Sequence, residues 1–301
     1  MPPTGINIKS TKKLLNNGLQ NFKTMQEIQF RKKRETGDIF TDSFLFLKQE
    51  IKPLTKLFVF YVLPFVLVYA ALQIYMQKEI LGRIDISDPE MVLANLKPIY
   101  LNLLTSSFFG LFVNSLLAGT FYTYVDFYVK KGKGNFETHE ITGALFTNSL
   151  AALGAILLLF AVTIFGVTLF IIPGIYFVNT LSLALFIVIF ERKGIGSAFS
   201  RSWFLVNKQW WNTLLINILG LLVIWGASMF FLIPSMTAGF STALTGVQQG
   251  GTVEYPQWHW FMMGVSALVS TTLSVISYTF IAFQYFNIDE RTKQVQNLQE
   301  E

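Results

Sequence analysis

The chain has no cysteine, only two histidines, and few charges: 14% of its 301 residues are Asp, Glu, Lys or Arg. Without cysteine there is no disulfide, no thiol nucleophile and no thiolate metal site. His139 and His259 stand far apart, and His139-Glu140 runs into Ile141-Thr142-Gly143, so the zinc-protease helix motif is missing. No phosphate loop, Gly-rich dinucleotide turn or serine elbow occurs, so the sequence offers no cofactor site. Charge is scarcest in the middle: from Ile141 to Phe190, 50 residues pass without Asp, Glu, Lys, Arg or His.

Apolar residues fill the space, at 52% of the chain with 30 Phe, and the mean hydropathy is positive. That balance is foreign to a soluble domain. A spanning helix takes about 20 apolar residues, so the uncharged run holds two helices and a tight corner, expected at Pro173-Gly174. Six such spans are expected, at about 57–76, 100–124, 145–168, 173–190, 213–233 and 259–283. The fold class is therefore an all-α polytopic integral membrane protein, with residues 36–286 as the membrane domain. A basic amphipathic arm (1–35) precedes it and a polar tail (287–301) follows. Pro64 is expected to kink span one, and Pro234 to end span five before a Gly/Ser/Thr/Gln-rich linker. The first 50 residues are mostly polar, so the first span is expected to act as an uncleaved insertion signal.

Two further segments carry helical stripes: Phe40, Phe44, Leu47 and Ile51, then Ile195, Phe199, Trp203, Val206 and Trp210. They read as cytoplasmic in-plane helices, with Trp203, Trp210 and Trp211 as interfacial anchors. In the arm, Leu15, Leu19, Phe22, Met25 and Ile28 recur at helical spacing among Lys12, Lys13, Lys23 and Arg31-Lys32-Lys33-Arg34. The arm is either a solvated tail or a surface for anionic headgroups or a protein partner. Because the basic residues border apolar spans, they do not suggest nucleic acid. With both termini cytoplasmic, 20 of the 23 basic residues fall inside, leaving only Lys78, Arg83 and Lys97 outside.

None of the six spans has an ionisable residue near its middle, which argues against a proton-coupled pump. Asp126 and Glu191 read as solvated boundary residues that stop a span; the alternative for Glu191 is a pair with Arg201, clamping the second in-plane helix. Ser266, Ser270, Ser274 and Ser277 share one face of span six, and Asn114 and Asn179 place amides at membrane depth. These polar faces are either helix-packing contacts or the wall of a groove for a headgroup or small solute.

Ile172-Pro173-Gly174-Ile175-Tyr176, Glu191, Gly196, Ala198, Arg201-Ser202-Trp203 and Trp210-Trp211 resemble the membrane domain of some glycerophosphoryl diester phosphodiesterases and related stand-alone six-span bacterial proteins. Arg34-Glu35-Thr36-Gly37-Asp38-Ile39 fits the same pattern, and the resemblance covers about residues 34–286. It implies a six-helix domain in a bacterial cytoplasmic membrane. The barrel that carries catalysis in the fused enzymes has no counterpart here, so no catalytic residue is transferred. The function expected is a non-enzymatic component that organises lipid or holds a partner. The alternative is a carrier or flippase for an uncharged or lipid-like substrate.

Overall fold

The computed structural model describes residues 27–79, 89–249 and 256–300, and among them the chain is helical with no strand. Most of the basic arm, the expected helix start at Asp88 and the last residues of the expected linker lie outside the described residues. The helices are α1 (Thr36–Gln49), α2 (Ile51–Leu57), a π turn (Phe58–Val62), α3 (Leu63–Glu79), α4 (Pro89–Ala94) and α5 (Leu96–Lys131). They continue with α6 (Thr138–Leu169), α7 (Ile171–Thr180), α8 (Ala184–Phe190), α9 (Ile195–Asn207), α10 (Trp210–Gln249) and α11 (Gln257–Glu300). Six stretches are long and apolar enough to cross a membrane: Ile51–Lys78, Leu96–Lys131, Thr138–Thr168, Ile171–Phe190, Trp210–Pro234 and Gln257–Leu298. The fold is all-α and polytopic. Phe146, Leu150, Phe165, Ile172, Leu221 and Phe230 face outward, as side chains solvated by lipid do.

Local chemistry sets the helix ends. Reciprocal capping boxes start α1 (Glu35 with Asp38) and α6 (Glu137 with Glu140). Gly132, at φ +84, ends α5 where an L side chain would be strained. In span one, the π turn at Phe58–Val62 sits just before Pro64. Proline removes one N–H from the ladder, and a wider turn absorbs the mismatch.

Three expectations are corrected. The corner between spans three and four is Phe170, extended at φ −162 and ψ 146, and not Pro173-Gly174. Pro173 lies inside the first turn of α7, where a backbone N–H has no helical acceptor in any case. Gly174 serves close packing: a Cβ there would sit 2.6 Å from Val167 Cγ2 and 3.0 Å from Val167 N. Span four is not one helix, since Leu181–Leu183 interrupts it. The chain after Pro234 is not a linker, because α10 runs through the proline to Gln249. In α9 the side packed on the protein carries Ala198, Ser202, Leu205 and Val206, while Trp203 and Phe204 face outward. Small residues permit the closer approach, so they decide which face is buried.

Packing centres on α11, which touches α1, α3, α5, α8, α9 and α10. Its buried core lies at one end of the bundle, where Phe46, Phe121, Tyr122, Phe186, Phe283 and Phe286 meet. Residues 27–35 thread into this cluster, and their contacts with Asn287 and Arg291 put the described N-terminal segment and the end of α11 at the same end of the molecule. We call it the terminal end.

Gly174→Ala should lower stability by about 1–3 kcal/mol through overpacking against Val167. Gly143→Ala in α6, where a Cβ meets nothing within 4 Å, should be neutral or stabilising. Thermal unfolding in detergent compares the two, and equal melting temperatures would refute the close-packing role.

Candidate functional site

The segment before α1 makes an unexpected strap. Ile28, Phe30 and Arg34 are buried, whereas Lys32 and Lys33 are exposed. Phe30 stacks on Phe283 at 4.3 Å between centroids and meets Phe46, Tyr128 and Phe286 edge-on. Arg34, only 2% exposed, donates to the carbonyls of Phe30 (2.8 Å) and Gln29 and to Asp42 Oδ2 (2.8 Å). Its guanidinium lies 4.6 Å over the Phe283 ring. A buried guanidinium is tolerated when its donors are matched in this way. From α11, Arg291 Nη2 donates to the Arg34 carbonyl (2.8 Å), and Asn287 Oδ1 accepts from the Arg34 N–H (2.8 Å). Arg31 donates to Glu290 Oε1 on α11 (3.4 Å), so Arg31 and Arg34, expected in a solvated or lipid-facing arm, both hold the chain to itself.

Glu191 and Arg201 meet at 3.3 Å, but the stronger contact of Arg201 is with Asp289 Oδ1 at 2.8 Å. Glu191 also accepts from Tyr285 (2.7 Å) and pairs with Lys193 (2.6 Å), and Asp289 pairs with Lys293 (2.6 Å). The cluster therefore ties α9 to α11 as well as to the end of α8. Burial pushes the Glu191 carboxyl up, but Lys193, Tyr285 and Arg201 together outweigh it and hold it below its ordinary value.

Asn179 is a structural junction. Its amide donates to Trp210 O (3.0 Å) and accepts from Asn217 Nδ2 (2.9 Å), while Trp210 Nε1 donates to Thr180 Oγ1 (3.2 Å). The interruption after Thr180 turns the Ala184 N–H toward Leu181 O, and Ser202 Oγ donates to the Thr180 carbonyl (2.8 Å). Tyr176 stacks on Trp210 at 5.7 Å and meets Trp203 edge-on, whereas Trp211 stands out, 76% exposed. Of the three tryptophans expected as anchors, Trp210 is committed to protein contacts.

The serine face of span six divides. Ser277 packs where a Cβ on Gly220 would approach its Oγ to 2.5 Å, and Ser266 is buried. Ser270 and Ser274 instead line an open-sided cavity of about 270 Å³, with Thr271 beside them, Tyr69 from α3, Asn114 from α5 and Ile224 from α10. Asn114 donates to Gly110 O (2.9 Å) and accepts from Tyr278 (3.3 Å), and Ser270 and Ser274 donate back to carbonyls of their own helix.

One carboxylate, Glu50, escaped the sequence reading, and another, Asp126, lies deeper than expected. Glu50, between α1 and α2, is buried against the Tyr124 hydroxyl (2.5 Å) and Lys133 (2.8 Å). Asp126, expected at a solvated edge, is buried inside α5 and pairs with Lys130 one turn on (2.6 Å). Only the step of four to Lys130 could have announced that pair; nothing local announces Glu50. Among the described residues, no group of three His, Asp or Glu is placed to hold a metal ion. These features define a multi-pass all-α membrane protein with a polar-stapled terminal end and a polar cavity within its spans. Neither family models, curated proteins nor solved structures match the chain.

Glu191→Gln should lower stability by about 1–2 kcal/mol at pH 7. A depressed carboxyl contributes above its unfolded pKa of about 4.3 and loses that contribution as pH falls through the lower folded value. The gap to wild type should therefore close below about pH 4, which melting curves across pH would show; a gap constant with pH would contradict the pairing. Phe30→Ala should free the strap, and hydrogen exchange at the Ile28 amide, bonded to the Tyr128 hydroxyl (3.2 Å), should rise at least tenfold, about 1.4 kcal/mol.

Proposed function

We propose that this membrane protein is a non-enzymatic component of a bacterial cytoplasmic membrane that holds anionic lipid at its terminal end, with both termini inside. The observation that carries the reading is the outer row of α1 and α2. Phe40, Phe44, Lys48, Lys52 and Lys56 recur every fourth residue, all exposed, and Phe40 and Phe44 touch at 4.8 Å between centroids. Apolar rings beside cations suit the boundary between acyl chains and anionic headgroups. Each lysine near such a surface contributes about 1 kcal/mol. The bias of basic residues toward the segments at this end supports the orientation.

A protein partner held by residues 1–35 belongs to the same proposal, although the described part, residues 27–35, is engaged by the chain's own helices. Kinship with the membrane domain of glycerophosphoryl diester phosphodiesterases is likewise proposed, on the residues quoted above, and brings no catalytic role. A second reading, a carrier for an uncharged or lipid-like substrate, is favoured by the cavity on α11.

Native mass spectrometry of the full chain released from vesicles of equal phosphatidylglycerol and phosphatidylcholine tests the leading reading. Retained phosphatidylglycerol should exceed its share of the vesicle, and the combined Lys48→Gln, Lys52→Gln and Lys56→Gln variant should abolish the excess. Retention in proportion to vesicle composition, or unchanged retention in the variant, would overturn it.

A further inference from the structure

We propose that the cavity on α11 is a binding site for an uncharged, lipid-soluble molecule that engages it through carbonyl oxygens. Three donors lining the cavity lack an acceptor in the protein. Thr271 is 7% exposed, yet its hydroxyl makes no hydrogen bond, although Thr272 and Thr279 on the same helix each bond the carbonyl four residues back. The Ala267 carbonyl that Thr271 would use receives Ser270 at 3.3 Å. Tyr69 accepts from Gln73 Nε2 at 2.9 Å, and its own O–H is given to nothing. Asn114 commits one amide hydrogen to Gly110 and leaves the other over.

The position and the lining choose the ligand. Asn114 lies near the middle of the uncharged run from Pro98 to Val125, and Thr271 near the middle of the span from Trp258 to Phe283, so the donors sit at the depth of the bilayer midplane. An unmatched donor in that setting is costly, and only something that accepts can relieve it. No charged side chain lines the cavity, so an ionised headgroup would enter without a counter-charge, at a cost that the site does nothing to offset. A volume of about 270 Å³ fits a glycerol ester or a quinone ring, and the open side lets an apolar tail run out among the lipid chains. Binding is the whole of the proposal, and it stands whether or not the ligand crosses the membrane.

The full chain in dodecyl maltoside, a detergent without carbonyls, is titrated with dioctanoylglycerol and with a decyl-substituted benzoquinone. Saturable binding of at least one probe is expected, and the probe that binds tells an acylglycerol site from a quinone site. Thr271→Val should weaken that binding about three- to tenfold, the worth of one buried hydrogen bond, while its melting temperature without ligand matches wild type. Ala267→Phe, which fills the cavity, should abolish binding. The proposal falls if neither probe saturates, if Thr271→Val binds as well as wild type, or if Thr271→Val alone melts several degrees lower. That last result would mean the hydroxyl is needed inside the protein, and water filling the cavity would give the first.

Discussion

The aromatic cluster around Phe30, Phe46, Phe121, Phe186, Phe283 and Phe286 is the constraint on which the other parts of the molecule rest. Within a bilayer, apolar side chains gain nothing by leaving lipid for one another, so the outer faces of the spans stay apolar and loosely partnered. At the terminal end water is the competitor, and burying a ring contributes about 1.5–3 kcal/mol. The cluster draws on α5, α8, α11, the strap and α1, with Leu57 joining from the start of the first span, and thereby fixes where the first, second, fourth and sixth spans meet. Two sets of ion pairs border that core, Arg34 with Asp42 and Arg201 with both Glu191 and Asp289.

Deeper in the spans a different rule governs: the backbone must find its partners inside the protein. Where span four breaks after Thr180, side chains supply them: Ser202 from α9 bonds the Thr180 carbonyl, and Asn179, itself held by the Asn217 amide, bonds the Trp210 carbonyl at the start of α10. Where Pro64 interrupts span one, the π turn absorbs the defect. Not every hydroxyl is matched: those of Thr120, Ser149 and Ser228 are buried without a partner, and that of Thr271, likewise unbonded, is set apart by lining the cavity.

The number and composition of the spans were legible because lipid imposes them by length and hydropathy alone. The contact between Glu191 and Arg201 was legible only as the alternative to a boundary role, from the ten residues that separate them across a short loop. Helix corners were harder. Pro173 and Gly174 suit a turn by intrinsic preference, but Phe170 made it because Gly174 was needed against Val167. The inward face of α9 had no such signal, because close approach selects Ala198 and Ser202, small residues that hydropathy does not mark. Glu50, the partner of Tyr124, and Arg34, the partner of Asn287, depend on residues 74 and 253 positions away, and no local pattern encodes such distances.

The strap also sets an order of assembly. Phe30 leaves the ribosome early, but its stacking partner Phe283 is made about 250 residues later. At roughly 5–20 residues per second, that is an interval of about 12–50 seconds. During it the N-terminal segment has no seat, and its aromatic and cationic side chains lie open to chaperones and lipid. Residues 27–35 thus settle only after the sixth span has been made, long after their own synthesis.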